Sequence, residues 1–150
     1  MKVKEIMTKD VKSIPLDINV HEALKLLKKM QISGLPVIDE NGKLLGMFTE
    51  KEVLGYILPS YIEKVGRFVY SENLKSTKRK FNELANIKVS QIMRKDVVTV
   101  NEETTLCEIA RVMLTQRARR LPILDKTGRV VGIVARADVL EALTKEADIP

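Results

Sequence analysis

The sequence predicts an α+β protein built from two copies of one unit, each ordered strand, helix, strand, strand, helix. The 150-residue chain matches itself without a gap when it is shifted by 86 positions. Residues 2–54 then fall on residues 88–140, and 15 of the 53 aligned positions are identical. Helical and strand-like apolar patterns recur in the same order in both copies. Shared composition does not keep identities at fixed spacing, so the chain contains an internal repeat.

Each copy begins with a short segment of strand character, followed by a helix. The opening segments are residues 11–14 and 97–100. The helices are predicted at Val20–Met30 and Leu106–Gln116, where apolar residues recur every three to four positions. An acidic, threonine-rich turn at residues 101–105 precedes the second of these helices and is typical of a helix start.

The centre of each copy predicts a β-hairpin. In the first copy Asn41-Gly42 is a strong hairpin signal, and Gly128 occupies the matching place in the second copy. A second helix is expected from about Lys51 and from about Arg136. The hairpin strands are predicted at residues 35–39 and 44–49 in the first copy and at residues 121–125 and 130–135 in the second. Two copies are too few for an open stack of repeats, so a pair that closes on itself is the better interpretation.

Composition narrows the class of protein. Hydrophobic residues make up 45% of the chain, which is typical of a globular protein, and no apolar run approaches the roughly 20 residues that span a bilayer. The N-terminal residues MKVKEIMTKD do not resemble a signal peptide. Cys107 is the only cysteine, so the sequence predicts no disulfide framework and no cysteine metal site. We therefore expect a cytoplasmic protein without membrane insertion, and the net charge of +6 can help attract anions.

The repeated motifs resemble those of CBS domains, the units named after cystathionine β-synthase. Each copy has four motifs in the same order. They are a Met-x-x-Asp-Val start, a Leu-Pro-x-x-Asp strand, a glycine in a turn, and a strand that contains glycine and is followed by an acidic residue directly before Val-Leu. In the first copy these are Met7, Asp10-Val11, Leu35 to Asp39, Gly42 and Gly46 to Leu54, and in the second they are Met93, Asp96-Val97, Leu121 to Asp125, Gly128 and Gly132 to Leu140. The chain is thus interpreted as CBS unit 1 at residues 1–54, a helical connector at 55–87 and CBS unit 2 at 88–144.

The resemblance implies a tandem pair, often called a Bateman module, whose two units pack about a pseudo-twofold axis and leave two clefts between them. In the family these clefts bind AMP, ADP, ATP or S-adenosylmethionine, and two modules commonly form a disc-shaped homodimer. Such modules regulate enzymes, channels and transporters, so an unidentified enzyme or transporter partner is expected. The resemblance therefore implies a regulatory adenine-nucleotide sensor, with the nucleotide as a ligand and not as a catalytic cofactor.

The resemblance also assigns residues to the cleft of the second copy. Asp138 matches the family's ribose-binding aspartate, and Ala135 and Arg136 lie in the same segment. The alternative is that Asp138 is an acid at a helix start that interacts favourably with the helix dipole. Arg119 is assigned to the phosphate in the Asp138 cleft, because arginine suits forked phosphate contacts. An exposed basic patch is the alternative for the arginines.

The first copy departs from the family pattern. Glu52 stands where the family has aspartate, so this cleft is expected to bind more weakly or not at all. Thr49 keeps the family's hydroxyl, which Ala135 lacks in the second copy. Arg120 is assigned to the phosphate in the Glu52 cleft, across the pseudo-twofold axis, and Arg117 and Arg136 are weaker candidate cations. The base slots are expected at Ser13, Ile14 and Val37 and at Thr99, Val100 and Ile123, all of which are equally compatible with plain core.

No residues suggest catalysis or metal binding. His21 is the only histidine, Cys107 has no base near it in sequence, and there is no glycine-rich phosphate loop. Residues 55–87 carry six basic and three acidic residues, or +3, with aromatic residues such as Tyr56, Tyr61, Phe68 and Phe81 interleaved. This segment is interpreted as a solvated connector whose helix breaks at Pro59. The alternative is a scaffold that binds a partner or nucleic acid through this basic surface.

Overall fold

The protein is described from a computed structural model that covers residues 1–58 and 74–147, without the side chains of residues 74–76. The predictions made for Pro59, Tyr61 and Phe68 therefore lie outside the described residues. The helices are α1 (Val20–Met30), α2 (Glu50–Ile57), α3 (Leu74–Glu83), α4 (Val89–Ile92), α5 (Leu106–Thr115) and α6 (Arg136–Glu146), with 3₁₀ turns at Val3–Glu5 and Leu84–Asn86. The strands are β1 (Gly34–Ile38), β2 (Leu44–Thr49), β3 (Val100–Asn101), β4 (Arg120–Leu124) and β5 (Val130–Ala135). The mixed α+β class and the predicted order of helices and hairpins are confirmed.

The first helix of each repeat begins at a side-chain cap. Asn19 accepts a hydrogen bond from the backbone N–H of Glu22 at 2.8 Å, and Thr105 accepts one from Glu108 at 3.3 Å. After α1 and α5 the chain passes through the left-handed region, at Gln31 (φ 55°) and Arg117 (φ 53°). The two repeats thus leave their first helices in the same way, although neither residue is glycine.

The hairpin turns of the two repeats have the same construction. Asp39 Oδ1 accepts from the N–H groups of Asn41 and Lys43, and Gly42 has a positive φ of 82°. Asp125 Oδ1 accepts from both the N–H and the hydroxyl of Thr127 and from the N–H of Arg129, and Gly128 has φ 85°. A positive φ favours glycine, which explains the glycine at this position in both copies.

The predicted opening strands are present but shorter than expected. In the second repeat strand pairing covers only Val100–Asn101, which pair in parallel with Ile123 and Leu124, and not residues 97–100. In the first repeat residues 11–14 form a single parallel bridge, in which the N–H of Ile14 donates to the carbonyl of Pro36 at 3.0 Å. Pro15 follows directly, and the described pairing does not extend beyond Ile14.

The chain forms two compact units that do not follow the repeat boundaries. Unit 1 contains residues 1–12, 38–44 and 96–150, and unit 2 contains residues 13–37 and 45–95. Residues 1–12, which open the first repeat, therefore belong to the unit that contains most of the second repeat. The division into residues 1–54, 55–87 and 88–144 stays a prediction about the repeats.

The leading segment of each repeat is anchored in its unit by a valine and a methionine. In unit 1 Val3 is fully buried, Thr8 pairs with Ile133, and a side chain at Gly132 would collide with Met7. In unit 2 Val89 is fully buried, and an ideal Cβ on Gly46 would lie 2.9 Å from the sulfur of Met93. The same Cβ on Gly46 would lie 2.7 Å from the backbone carbonyl oxygen of Arg94, so a backbone crossing requires glycine there, whereas at Gly132 the neighbour is the side chain of Met7.

Each unit has its own hydrophobic core. The core of unit 1 is formed by Val3, Ile109, Met113, Leu121, Ile123, Val134 and Val139. The core of unit 2 is formed by Ile14, Val20, Ala23, Leu27, Leu35, Val37, Phe48, Val53, Leu84 and Val89. Within the described ranges no helix is long and apolar enough to cross a membrane.

Candidate functional site

The candidate site in unit 1 lies where β5 runs into α6. Ala135 is the residue before the helix, in extended conformation (φ −107°, ψ 160°), and Asp138 lies in the first turn. Asp138 Oδ2 accepts a hydrogen bond from the N–H of Ala135 at 3.0 Å. Oδ1 has no hydrogen-bond partner among the described residues. The half-buried carboxylate thus caps the helix with one oxygen and leaves the other available to a ligand hydroxyl.

Strand pairing brings the predicted arginines to the same edge of the sheet. Arg120 pairs with Ala135 in the register of β4 and β5, and the N–H of Arg136 donates to the carbonyl of Arg119 at 3.1 Å. The Arg136 side chain donates from Nε to the carbonyl of Ala118 at 3.1 Å. The structure therefore brings the segment that contains Arg119 and Arg120 to the start of α6, as a shared site requires.

Exposure separates the arginines. The side chains of Arg117 and Arg119 are exposed and have no hydrogen bond or ion pair within residues 1–58 and 74–147. Arg120 is half-buried and has a polar interaction of its own. The side chain of Arg119 is thus exposed and unbonded among the described residues and its backbone lies at the start of α6, whereas the equally exposed Arg136 uses its Nε to bind Ala118. The assignment of Arg120 to the Glu52 cleft stays a prediction.

The residues expected to form the base slots divide into buried and accessible ones. Ile123 is completely buried, whereas Thr99 and Val100, which approach it through β3, are half-buried. In unit 2 Ile14 and Val37 are both completely buried in the core, and Ser13 beside them is exposed. The fully buried residues lie beneath each expected base slot and are not accessible to a ligand. Only the half-buried Thr99 and Val100 and the exposed Ser13 can contact a base.

The equivalent position in unit 2 is organised differently. Thr49 is the N-cap of α2, where its hydroxyl accepts from the N–H of Lys51 at 3.2 Å and donates to the carboxylate of Glu52. The predicted hydroxyl and the predicted acid are therefore brought together, but they bind each other. The extra methylene of Glu52 lets its carboxylate reach the threonine hydroxyl, whereas Asp138 reaches back to a backbone N–H.

Gly34 is a residue that the sequence alone did not single out. An ideal Cβ on Gly34 would lie 2.6 Å from Thr49 Cγ2 and 3.0 Å from the carbonyl oxygen of Phe48. Arg120 occupies the aligned place in the second repeat, opposite Ala135, which has no Cγ. At these two neighbouring positions the first repeat thus has glycine beside threonine, and the second repeat has arginine beside alanine. The repeat alignment contains this signal, but only the strand pairing shows that the two positions touch.

A separate groove lies on the connector helix of unit 2. It has a volume of about 430 Å³ and is lined by Lys78, Arg79, Asn82, Glu83 and Asn86. Asn82 and Asn86 were not singled out from the sequence, although they follow Lys78 at four-residue helical spacing. The groove is on α3 and the following 3₁₀ turn, and not at the Asp138 position.

Three of the described basic and aromatic residues of the connector, Tyr56, Lys80 and Phe81, pack within unit 2. Lys80 Nζ lies 5.2 Å from the centre of the Tyr56 ring, and the Tyr56 hydroxyl donates to Glu83 Oε2 at 3.1 Å. Desolvation, and then the hydrogen bond with Glu83, raise the pKa of Tyr56 above its ordinary value. His21 and Phe81 pack edge to face at 6.0 Å. Across the described residues, no group of three or more His, Cys, Asp or Glu side chains is placed to hold a metal ion.

Comparison with known proteins gives a consistent result. A family model for the CBS domain matches residues 3–59 and 89–145. A CBS domain-containing protein of Dictyostelium discoideum is 33% identical over 143 residues, which cover 95% of this chain and 91% of that protein.

Solved structures show the same fold. CBSX2 from Arabidopsis thaliana superposes with a TM-score of 0.79 at 25% identity, covering 98% of this chain and 96% of that chain. A second structure is of CBSX2 in complex with AMP and superposes with a TM-score of 0.75 at 25% identity, covering 97% of this chain and 98% of that one. The CBS domain pair of protein MJ0100, in complex with 5-methylthioadenosine and S-adenosyl-L-methionine, has a TM-score of 0.67 at 27% identity and covers 97% of this chain and 98% of that one.

Proposed function

Because the chain belongs to the CBS domain family, we propose that it is a regulatory module, and not an enzyme, that binds an adenine nucleotide at the Asp138 site. The ligand is AMP, ADP or ATP, and S-adenosylmethionine is the alternative. The nucleotide acts as a regulatory ligand in the cytoplasm, and its binding is passed to a partner enzyme or transporter. Binding shifts the population of conformations toward the one that holds the ligand best.

One observation carries this proposal: Asp138 keeps a free carboxylate oxygen beside exposed arginines at the start of a helix. A ribose hydroxyl is a donor that such an oxygen accepts, and phosphate oxygens suit the guanidinium group of Arg119. The N-terminus of α6 adds the positive end of the helix dipole. Thr99 and Val100 are the half-buried residues of β3 and its approach against which the base is proposed to lie.

A thermal-shift panel of AMP, ADP, ATP, S-adenosylmethionine and an unrelated nucleoside triphosphate such as CTP tests the proposal. A ligand at a hundred times its Kd adds about 2.7 kcal/mol to the free energy of unfolding, which raises Tm by about 5–10 °C in a domain of this size. We expect such a rise with at least one adenine compound and none with CTP. The absence of a rise with every adenine compound would contradict the proposal.

The Asp138→Asn variant distinguishes a ligand contact from a helix cap. Asparagine keeps an oxygen that can accept from Ala135, so Tm without ligand should change little. It removes the charge that strengthens the ribose contact, so the ligand-induced rise should shrink. Asp138→Ala loses both contacts, and should lower Tm without ligand and abolish the ligand-induced rise. An undiminished rise in both variants would assign Asp138 to the cap alone.

We also propose that the module is a homodimer. Leu114 on α5 and Leu140 on α6 are 74% and 68% exposed, on neighbouring helices of unit 1. Large apolar side chains at this exposure favour burial against a second protein surface. This supports pairing of two copies through the α5 and α6 face.

The second candidate function is nucleic-acid binding through the groove on α3. The groove supports it because Lys78 and Arg79 are exposed and lie beside two asparagines. Replacing both cations with glutamine should abolish binding to single-stranded RNA or DNA, which should otherwise weaken steeply with salt. Lys80 is left unchanged because it packs on Tyr56. Equal nucleic-acid binding by the double variant and the parent would reject this candidate.

A further inference from the structure

The two repeats place different charges at structurally equivalent positions. Gln31 and Arg117 share the left-handed conformation, with φ of 55° and 53°. The N–H of Glu50 donates to the carbonyl of Ser33 at 2.9 Å, just as the N–H of Arg136 donates to that of Arg119 at 3.1 Å. The equivalent pairs are therefore Gln31 and Arg117, Ser33 and Arg119, Glu50 and Arg136, and Glu52 and Asp138.

The net charge reverses between the two sets. The set in unit 1 has three arginines and one aspartate, or +2, whereas the set in unit 2 has two glutamates and no cation, or −2. Counting also the aligned pair Lys51 and Ala137 between these positions leaves the charges at −1 in unit 2 and +2 in unit 1, so the sign still reverses. Both sets flank the first turn of a helix in their own unit. A phosphorylated ligand is attracted by the first set and repelled by the second, and a ligand without charge is indifferent to both.

Packing in unit 2 opposes the addition of a cation. Gly34 is in contact with Thr49, so an arginine cannot replace it without displacing the threonine. The Thr49 hydroxyl in turn holds the carboxylate of Glu52 at the start of α2. The lack of a cation at residue 34 is thus linked to the Thr49 cap and to Glu52. Gly34, Thr49 and Glu52 therefore depend on one another.

We infer, on the basis of the proposed function, that the two repeats select adenosyl ligands by charge. The Asp138 site takes an adenosine that bears phosphate, and the Glu52 site excludes phosphate and admits only an adenosyl group without it. The residues that decide this are Arg119 and Arg136 in unit 1 and Glu50 and Glu52 in unit 2. One chain therefore binds one molecule of AMP and two molecules of adenosine.

Isothermal titration of the full chain with AMP and with adenosine tests the inference. We expect one AMP and two adenosines per chain, and one adenosine after Asp138→Ala. Two AMP molecules per chain would overturn the inference while leaving the proposed function intact, and this is also the result expected if Arg120 supplies a phosphate contact at Glu52. One adenosine per chain in the parent would overturn it as well, since the Glu52 site would then be closed for a reason other than charge. The absence of any adenosyl binding would overturn both proposals.

Charge exchange gives a second test. Glu50→Arg copies the charge of Arg136 onto an exposed position and should add a second, weaker AMP site. The matched control is Glu22→Arg, which makes the same change of charge in the same unit. Glu22 is in the first turn of α1, at the end of the helix away from Gln31, so this variant should still bind one AMP per chain. In unit 1 Arg119→Ser should weaken AMP about tenfold or more and adenosine much less. Equal weakening of the two ligands would contradict selection by charge.

Discussion

Gly34 and Thr49 are packed so closely that an ideal Cβ at residue 34 would lie 2.6 Å from the methyl carbon of Thr49. This contact fixes the residue that can precede Leu35 in the first repeat. It also explains why arginine stands at the aligned position of the second repeat only together with Ala135. Residue identities on neighbouring strands are therefore coupled in each unit.

We predict that Gly34→Ala lowers the free energy of unfolding by about 1–3 kcal/mol, because the added methyl group overpacks the site. The cost should fall when Thr49→Ala removes the opposing methyl group, although that change loses an N-cap. Urea denaturation of the four proteins of this double-mutant cycle gives the coupling free energy. Gly55→Ala is the control, since nothing lies within 4 Å of a Cβ there, and it should stabilise α2 slightly. Additive effects of the two substitutions would disprove the coupling.

A second prediction concerns the N-terminal segment of unit 1. Lys2 Nζ and Lys4 Nζ lie 2.5 Å and 2.7 Å from the two carboxylate oxygens of Glu103, and hydrogen bonds from Lys2 and Lys4 lower the pKa of Glu103 to about 2. A lowered pKa means that this contribution to stability is complete above pH 4.5, the ordinary value, and is lost as the pH falls toward 2.

Glu103→Gln should therefore lower Tm at neutral pH and flatten the decrease of Tm between pH 4.5 and 2. The pairs are half-exposed, so salt should reduce the difference from the parent. Glu102→Gln is the control, because among the described residues Glu102 forms no ion pair and acts on Lys4 only through a weaker coulombic attraction than that of Glu103. Identical acid profiles for Glu103→Gln and the parent would show that the two lysines do not hold the N-terminal segment.

The paired hairpin turns give a third prediction. The carboxylate of Asp125 accepts from Thr127 twice and from Arg129 once, while that of Asp39 accepts two backbone hydrogen bonds. Asp125→Ala should therefore lower Tm more than Asp39→Ala, and Thr127→Val should remove most of the difference. Hydrogen bonds, first from the Thr127 side chain, lower the pKa of Asp125, so its contribution is present above the ordinary pKa and is lost on acidification below it. Tm measured against pH for the three variants checks this, and equal losses at Asp39 and Asp125 would be the contrary result.

The fourth prediction tests the homodimer. Leu140→Glu places a charge on the exposed apolar face of α6 and should shift the chain toward monomer in sedimentation velocity. Lys145→Glu is the control, with a larger change of charge at an exposed position of the same helix. Cys107, exposed on α5 in the same unit, should react faster with a thiol reagent when the dimer dissociates. A monomeric parent, or a dimer that survives Leu140→Glu, would remove this face from the interface.

The sequence by itself determined the repeat, the helices, the hairpins and the family resemblance, because these depend on patterns that are local or repeated along the chain. Helix α1 and strands β2 and β5 begin and end at the predicted residues. The opening strands are shorter than predicted, since their extent depends on pairing with a partner strand that lies elsewhere in the sequence.

Only the tertiary structure decided which segments share a unit and what the site residues do. The burial of Val3 and Val89 depends on contacts between distant parts of the chain, which periodicity does not reveal. The sequence indicated that Glu52 departs from aspartate, but not that its carboxylate is already bound by Thr49, whereas Asp138 leaves one oxygen open. A side chain one methylene longer reaches a different donor, and that geometry is fixed by the position of the helix start relative to the strand before it.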